Sequence, residues 1–140
     1  MIIKEGNSTI AIRMVENEDL IESLKTICKH YNVDSAIIVS GVGMFKSLEI
    51  GYWNGKEYVK ETIDQTTEII SLSGNIGTTN DSDEVVIHLH VSVGLEDYSV
   101  IGGHLVNATL YNGEIFIEKL HNINLLRKKE ESGLMGLIPA

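Results

Sequence analysis

The chain has 140 residues, 43 % of them hydrophobic, and carries a formal net charge of −9 from 11 basic and 20 acidic side chains. That length fits one domain, with a core large enough to stand without staples, and the single cysteine, Cys28, excludes an internal disulfide. The acidic balance, with Arg13 and Arg127 the only arginines, weighs against duplex DNA binding, and no apolar run approaches the ~18 residues of a membrane span.

Ser8 to Val15 alternates in part and predicts a strand. Asn17 offers a helix N-cap, and Glu18 and Asp19 place negative charge in the first turn. Leu20, Ile21, Leu24, Ile27, Cys28 and Tyr31 follow at helical spacing, a continuous stripe that must pack on something. Cys28 lies on that stripe and reads as a core thiol, not a nucleophile. Ser35 to Val42 and Leu48 to Tyr52 are β-rich, with Gly41-Val42-Gly43 expected to form a structural turn. A phosphate loop does not fit there: Lys46 stands where a third glycine belongs, and strand, not helix, follows.

Asn54-Gly55 predicts a hairpin into Glu57–Thr62, Thr66 to Leu72 is a further strand, and Gly74 to Asp83 reads as a loop. Val85 to Val93 is the strongest strand pattern. After a turn at Leu95–Tyr98, Val100 to Leu110 stays extended, and Asn112-Gly113 marks a second hairpin into Glu114–Leu120. One helix and then strands joined by short turns predict an α+β fold, a mostly antiparallel sheet with a flanking helix. Residues 1–140 read as one domain, its core at about residues 8–121. In the tail, 125–140, Arg127-Lys128-Lys129 precedes Glu130-Glu131 and an apolar end. The basic triplet reads as a solvated helix end, and the apolar end as a segment that frays or docks on a neighbouring subunit. Met1–Gly6 lacks the apolar stretch of a signal peptide, so the expected location is cytoplasmic.

The histidines carry the chemistry. His88 and His90 stand two apart in a strand and so share a face. Gly102-Gly103-His104 returns on the strand expected to pair with it, and the two glycines let the backbones approach closely. Three neutral imidazoles with an open fourth position suit a catalytic or ligand-binding zinc ion, and imidazole also serves iron, nickel and copper. The expected site is therefore a divalent metal, zinc first, on His88, His90 and His104, with room for a small-molecule ligand. The competing reading is a polar sheet face that holds nothing. His30 and His121 fall at element ends and read as surface residues. Glu68 sits in an otherwise neutral strand and reads as edge-strand charge or an intersubunit hydrogen bond rather than a general base. No serine pairs with a histidine and an acid, and a cupin site lacks its glutamate, since Gly94 and Leu95 stand there.

The succession Gly41-Val42-Gly43, Leu48–Tyr52, Glu68-Ile69-Ile70-Ser71-Leu72-Ser73-Gly74-Asn75-Ile76, His88-Leu89-His90, Gly102-Gly103-His104-Leu105 and Glu114-Ile115 resembles the plant-and-prokaryote-conserved (PPC) domain. The resemblance implies an antiparallel sheet flanked by helices, assembled as a homotrimer. It also implies metal in some stand-alone prokaryotic members, through histidines matching His88, His90 and His104. Plant members add AT-hooks for A·T-rich minor grooves, while the domain itself mediates oligomerisation and partner contacts. This sequence has no Arg-Gly-Arg-Pro hook, and the plant Gly-Arg-Phe-Glu-Ile motif becomes Gln65-Thr66-Thr67-Glu68-Ile69. The expected function is thus a metal-binding trimer open to a small ligand, catalytic or not. The alternative is a DNA-binding or transcription-associated interaction module.

Overall fold

The one helix of the computed structural model, which describes residues 1–140, is α1 (Leu20–Tyr31). Its cap is Asp19, two residues later than expected: the carboxylate accepts the Glu22 N–H at 2.9 Å. Asn17 instead takes a left-handed backbone, φ 70°, and donates its N–H to the Leu110 carbonyl, tying the approach to the helix onto the sheet. The helix closes at Asn32, φ 52°, where the Val33 N–H returns to the Cys28 carbonyl at 2.8 Å. Leu20, Leu24, Ile27 and Cys28 are buried, the stripe that the spacing predicted. Burial, then the charge of Asp34, pushes the Cys28 thiol up to about 11, so it stays protonated and unreactive at neutral pH.

The strands are β1 (Ile2–Glu5), β2 (Thr9–Met14), β3 (Ala36–Trp53), β4 (Tyr58–Ile63), β5 (Thr67–Thr79), β6 (Val85–Gly94), β7 (Val100–Lys119), β8 (Leu125–Lys129) and β9 (Met135–Pro139). All belong to one sheet, antiparallel except for the parallel pair β5–β8. β3 pairs with both β5 and β7, and β6 pairs with the same two, so β3, β5, β6 and β7 close a ring. Its inside is the core, which α1 covers: Phe45, Leu89, Val93, Leu110, Ile115 and Ile117 are fully buried. The period of two along β6 sends Leu89, Val91 and Val93 inward, and therefore His88, His90 and Ser92 outward.

Four local expectations give way to long-range pairing. Gly41-Val42-Gly43 is not a turn but part of the 18-residue β3, with Gly43 at φ 128° where the Asn112 carbonyl comes too close for a side chain. Asn112-Gly113 makes no hairpin: the two residues pair with Met44 and Gly43, and β7 continues past a bulge at Tyr111 for 20 residues in all. With β3 opposite along that length, their backbone groups are satisfied across the sheet, and the turn signal has nothing to stabilise. More than half of the expected 74–83 loop is strand, since β5 runs to Thr79 and pairs with β6 as far as Thr78. The basic tail is no helix end: β8 and β9 form a hairpin that docks on β5 through Thr78 and Thr79.

Candidate metal centre

Strand register builds the cluster. His90 lies directly opposite His104 on β7, and His88 is two residues back on β6. Glycines permit this closeness on both flanks: a Cβ at Gly102 would strike the Val91 carbonyl oxygen, and one at Gly74 the His88 carbonyl oxygen. Ring centroids are 5.2 Å apart for His88–His90, 5.3 Å for His88–His104 and 5.6 Å for His90–His104. One nitrogen from each ring lies within 4.8 Å of the others. Tetrahedral zinc at ~2.0–2.1 Å from each nitrogen sets them about 3.3 Å apart, so an ion bound there would draw the three rings closer together. The chemistry fits as well: His104 Nδ1 is buried with no hydrogen-bond partner, an orphan within the cluster.

Two residues that sequence reasoning missed complete the surroundings. Tyr58, from β4, stacks on His104 with centroids 4.4 Å apart, and Trp53 meets Tyr58 edge-on at 5.2 Å. Arg127, from β8, is only 5 % exposed. Its guanidinium donates to Asn75 Oδ1, to the Met135 carbonyl at 3.0 Å and to His88 Nδ1 at 3.2 Å. Arginine can only donate, so His88 Nδ1 accepts, and the neutral ring carries its proton on Nε2. A cation at His88 must then either replace Arg127 at Nδ1 or be accompanied by a shift of that proton. Burial lowers the Arg127 guanidinium, which nonetheless stays charged at any physiological pH. His30 and His121 are exposed, as expected, and Glu68 points outward from β5.

Burial, then the Arg127 charge, then the neighbouring histidines hold His88 down to about 4. Burial first, then His90, lowers His104. At neutral pH both rings are uncharged, so a cation meets no competing imidazolium there, and at His88 the adjustment left is the one at the Arg127 bond to Nδ1. In the metal-free protein the unfolded chain takes up a proton near 6.5 that folded His88 refuses until about 4. The stability linked to this difference is full above the unfolded value and lost as pH falls through that window. Melting curves in chelator should therefore fall between pH 6.5 and 4, and less in His88→Gln; identical slopes for the two proteins would contradict it.

Beside His88 and His104 opens a cavity of about 450 Å³, walled by Trp53, Tyr58 and Val86 on one side and by Leu134 and Met135 of the tail hairpin on the other. The sequence profile of the Plants and Prokaryotes Conserved (PCC) domain matches residues 1–121. The chain belongs to this family. Arg127 and the hairpin wall lie past the matched stretch, so part of the cavity in this PCC protein is built outside it.

Solved structures extend the likeness to the tail. A plant- and prokaryote-conserved protein from Pyrococcus horikoshii is 34 % identical with a TM-score of 0.88, covering 98 % of this chain and 94 % of its own. A metal-containing protein from Archaeoglobus fulgidus is 29 % identical with a TM-score of 0.85, covering 99 % of each chain. A protein from Bacteroides thetaiotaomicron, provisionally described as DNA-binding, is 26 % identical with a TM-score of 0.86, covering 97 % of this chain and 95 % of its own. Comparison with curated protein sequences gave no match.

Proposed function

We propose that this PCC protein holds a divalent metal on His88, His90 and His104 and offers the adjoining cavity to a small ligand. The observation that carries this reading is the convergence of the three nitrogens to within 4.8 Å on one outward face. The metal in the Archaeoglobus relative, 29 % identical over the whole chain, supports it. Zinc is the first choice, with iron, nickel and copper accepted by the same imidazoles. A bound ion would supply Lewis acidity at an open position. The chain's own part is to present neutral rings, to seat Tyr58 against His104 and to keep Arg127 beside His88. No side chain here is assigned a catalytic role. Elemental analysis of protein purified without an affinity tag tests the reading, and stoichiometric metal is the expected result.

The whole chain works in this reading as one cytoplasmic domain and assembles as a homotrimer. Ile37, Val39 and Val42 on β3, Ile70 on β5 and Phe116 on β7 are apolar and exposed in the single chain, and subunit contacts would cover them. Light scattering at micromolar protein should give three times the 15.5 kDa chain mass, and a monomer mass would refute the assembly.

Direct recognition of duplex DNA is the weaker alternative, although the Bacteroides relative carries that description. A net charge of −9 opposes approach to phosphates. Mobility shifts at physiological salt should show no binding tighter than micromolar, and any retardation should vanish as salt rises.

A further inference from the structure

We infer that the cavity between the histidine cluster and the β8–β9 hairpin receives a small organic monocarboxylate with an apolar or aromatic body. The inference deepens the metal reading, on which it rests for the second positive charge at the site but not for the first.

The first is Arg127. A buried cation is costly unless a counter-charge meets it. Arg127 is 5 % exposed, yet it takes part in none of the ion pairs of the chain. Its three acceptors, Asn75 Oδ1, the Met135 carbonyl and His88 Nδ1, are all neutral. Of the five N–H groups a guanidinium has, those three bonds leave two free, and Nε is buried with no partner. Glu130 lines the same cavity but is exposed, and its carboxylate lies over Gly136 rather than on Arg127. The site is therefore one negative charge short, and metal on the histidines would deepen the deficit.

The rest of the cavity sets the ligand's body. Trp53, Tyr58, Val86, Leu134 and Met135 offer apolar and aromatic surface. A volume of about 450 Å³ suits a single ring or a short alkyl chain. Inorganic phosphate would satisfy the guanidinium and leave those walls without a partner. A neutral analogue would fill the walls and leave the charge unmet.

The test uses full-length protein loaded with zinc, and as probes phenylacetate and hexanoate, phenylacetamide as neutral isostere, and inorganic phosphate. Saturation-transfer NMR and calorimetry read binding, and elemental analysis reads zinc in the same samples. The carboxylates should bind and the amide should not. Arg127→Gln should weaken the carboxylates by roughly ten- to a hundred-fold, the range of a hydrogen bond between charged groups, while Arg127→Lys retains part of the affinity. Glu130→Gln should bind at least as tightly as wild type.

Equal affinity for acid and amide would overturn the inference, as would phosphate binding as tightly as phenylacetate, or undiminished binding in folded Arg127→Gln. Where Arg127→Gln fails to fold, acid against amide on the wild type decides alone. The two readings fail separately. Retained zinc with no carboxylate bound defeats this one and leaves the metal standing. Arg127-dependent carboxylate binding by protein that retains no zinc does the reverse.

Discussion

Replacing His88, His90 or His104 by alanine is expected to empty the proposed divalent-metal site, while His30→Ala and His121→Ala leave the metal content at the wild-type level. The three cluster residues offer nitrogens within 4.8 Å of one another, and the other two are exposed and outside that group. Removing even a group that only orients a ligand weakens metal binding by about 10–100-fold, so removing a ligand should cost more than that. Dialysed variants should then read as metal-free by elemental analysis. The fold should survive, because the core is a cluster of 24 buried residues to which none of the three contributes. Loss of metal is therefore not loss of structure, in contrast to a zinc finger. The variants also differ from one another in an informative way. His88→Ala deprives Arg127 of an acceptor, and His104→Ala deprives Tyr58 of its stacking partner. Each should lower the melting temperature of metal-free protein modestly, by the equivalent of about 1 kcal/mol. His90→Ala, on an exposed ring, should lower it least. Wild-type metal content in all three would show that the cluster is only a polar sheet face.

The cluster itself was legible because its signal is periodic. Two histidines at a spacing of two need only a strand to share a face, and the Gly-Gly before His104 announced a close strand. Helix α1 was equally readable, since its stripe follows the helical period and its caps are local. What escaped shares one cause: long-range pairing. Asn112-Gly113 and Gly41-Val42-Gly43 carry strong turn chemistry, but β3 and β7 lie opposite each other through both sites and extend the strand instead. Arg127 escaped for the same reason. As a member of a basic triplet it reads as solvated. Its burial depends on β8 docking parallel to β5, which places Leu125 and Arg127 inward and turns Lys128 and Lys129 out to solvent. Nothing within that pentapeptide marks which cation goes inside. Tyr58 gave no signal either: the Asn54-Gly55 hairpin was readable, but the stacking of Tyr58 on His104 depends on the long-range β3–β7 pairing, which sets Gly51, beneath the Tyr58 ring, opposite His104.

Gly74→Ala is expected to be the most damaging single-methyl change near the site, and to strike stability and metal affinity together. Gly74 has φ 151°, a backbone conformation L side chains rarely adopt, and it pairs with Leu89 on β6. An alanine Cβ there would fall on the His88 carbonyl oxygen, a main-chain atom held in the sheet that cannot swing aside. Relief requires β5 and β6 to separate, or Gly74 to leave its φ and break register. Backbone strain and overpacking of this kind cost about 2 kcal/mol or more. In a domain of this size that corresponds to a fall in melting temperature of roughly 6–10 °C. The damage would reach the proposed metal site through one neighbour. Asn75, next in the chain, holds Arg127 in place and pairs with His88, so any retreat of β5 moves the ring that must share the cation. Gly55→Ala is the control. Gly55 also has a positive φ, 97°, but a Cβ there meets only open space, in the turn between β3 and β4. It should cost only the backbone strain of roughly 1–3 kcal/mol, with no clash added, and leave zinc binding unchanged. Calorimetric melts of metal-free protein, followed by zinc titration against a competing chelator, separate the two effects. A Gly74→Ala protein that melts with wild type and binds zinc equally well would mean that β5 and β6 are not pressed together beneath the histidines.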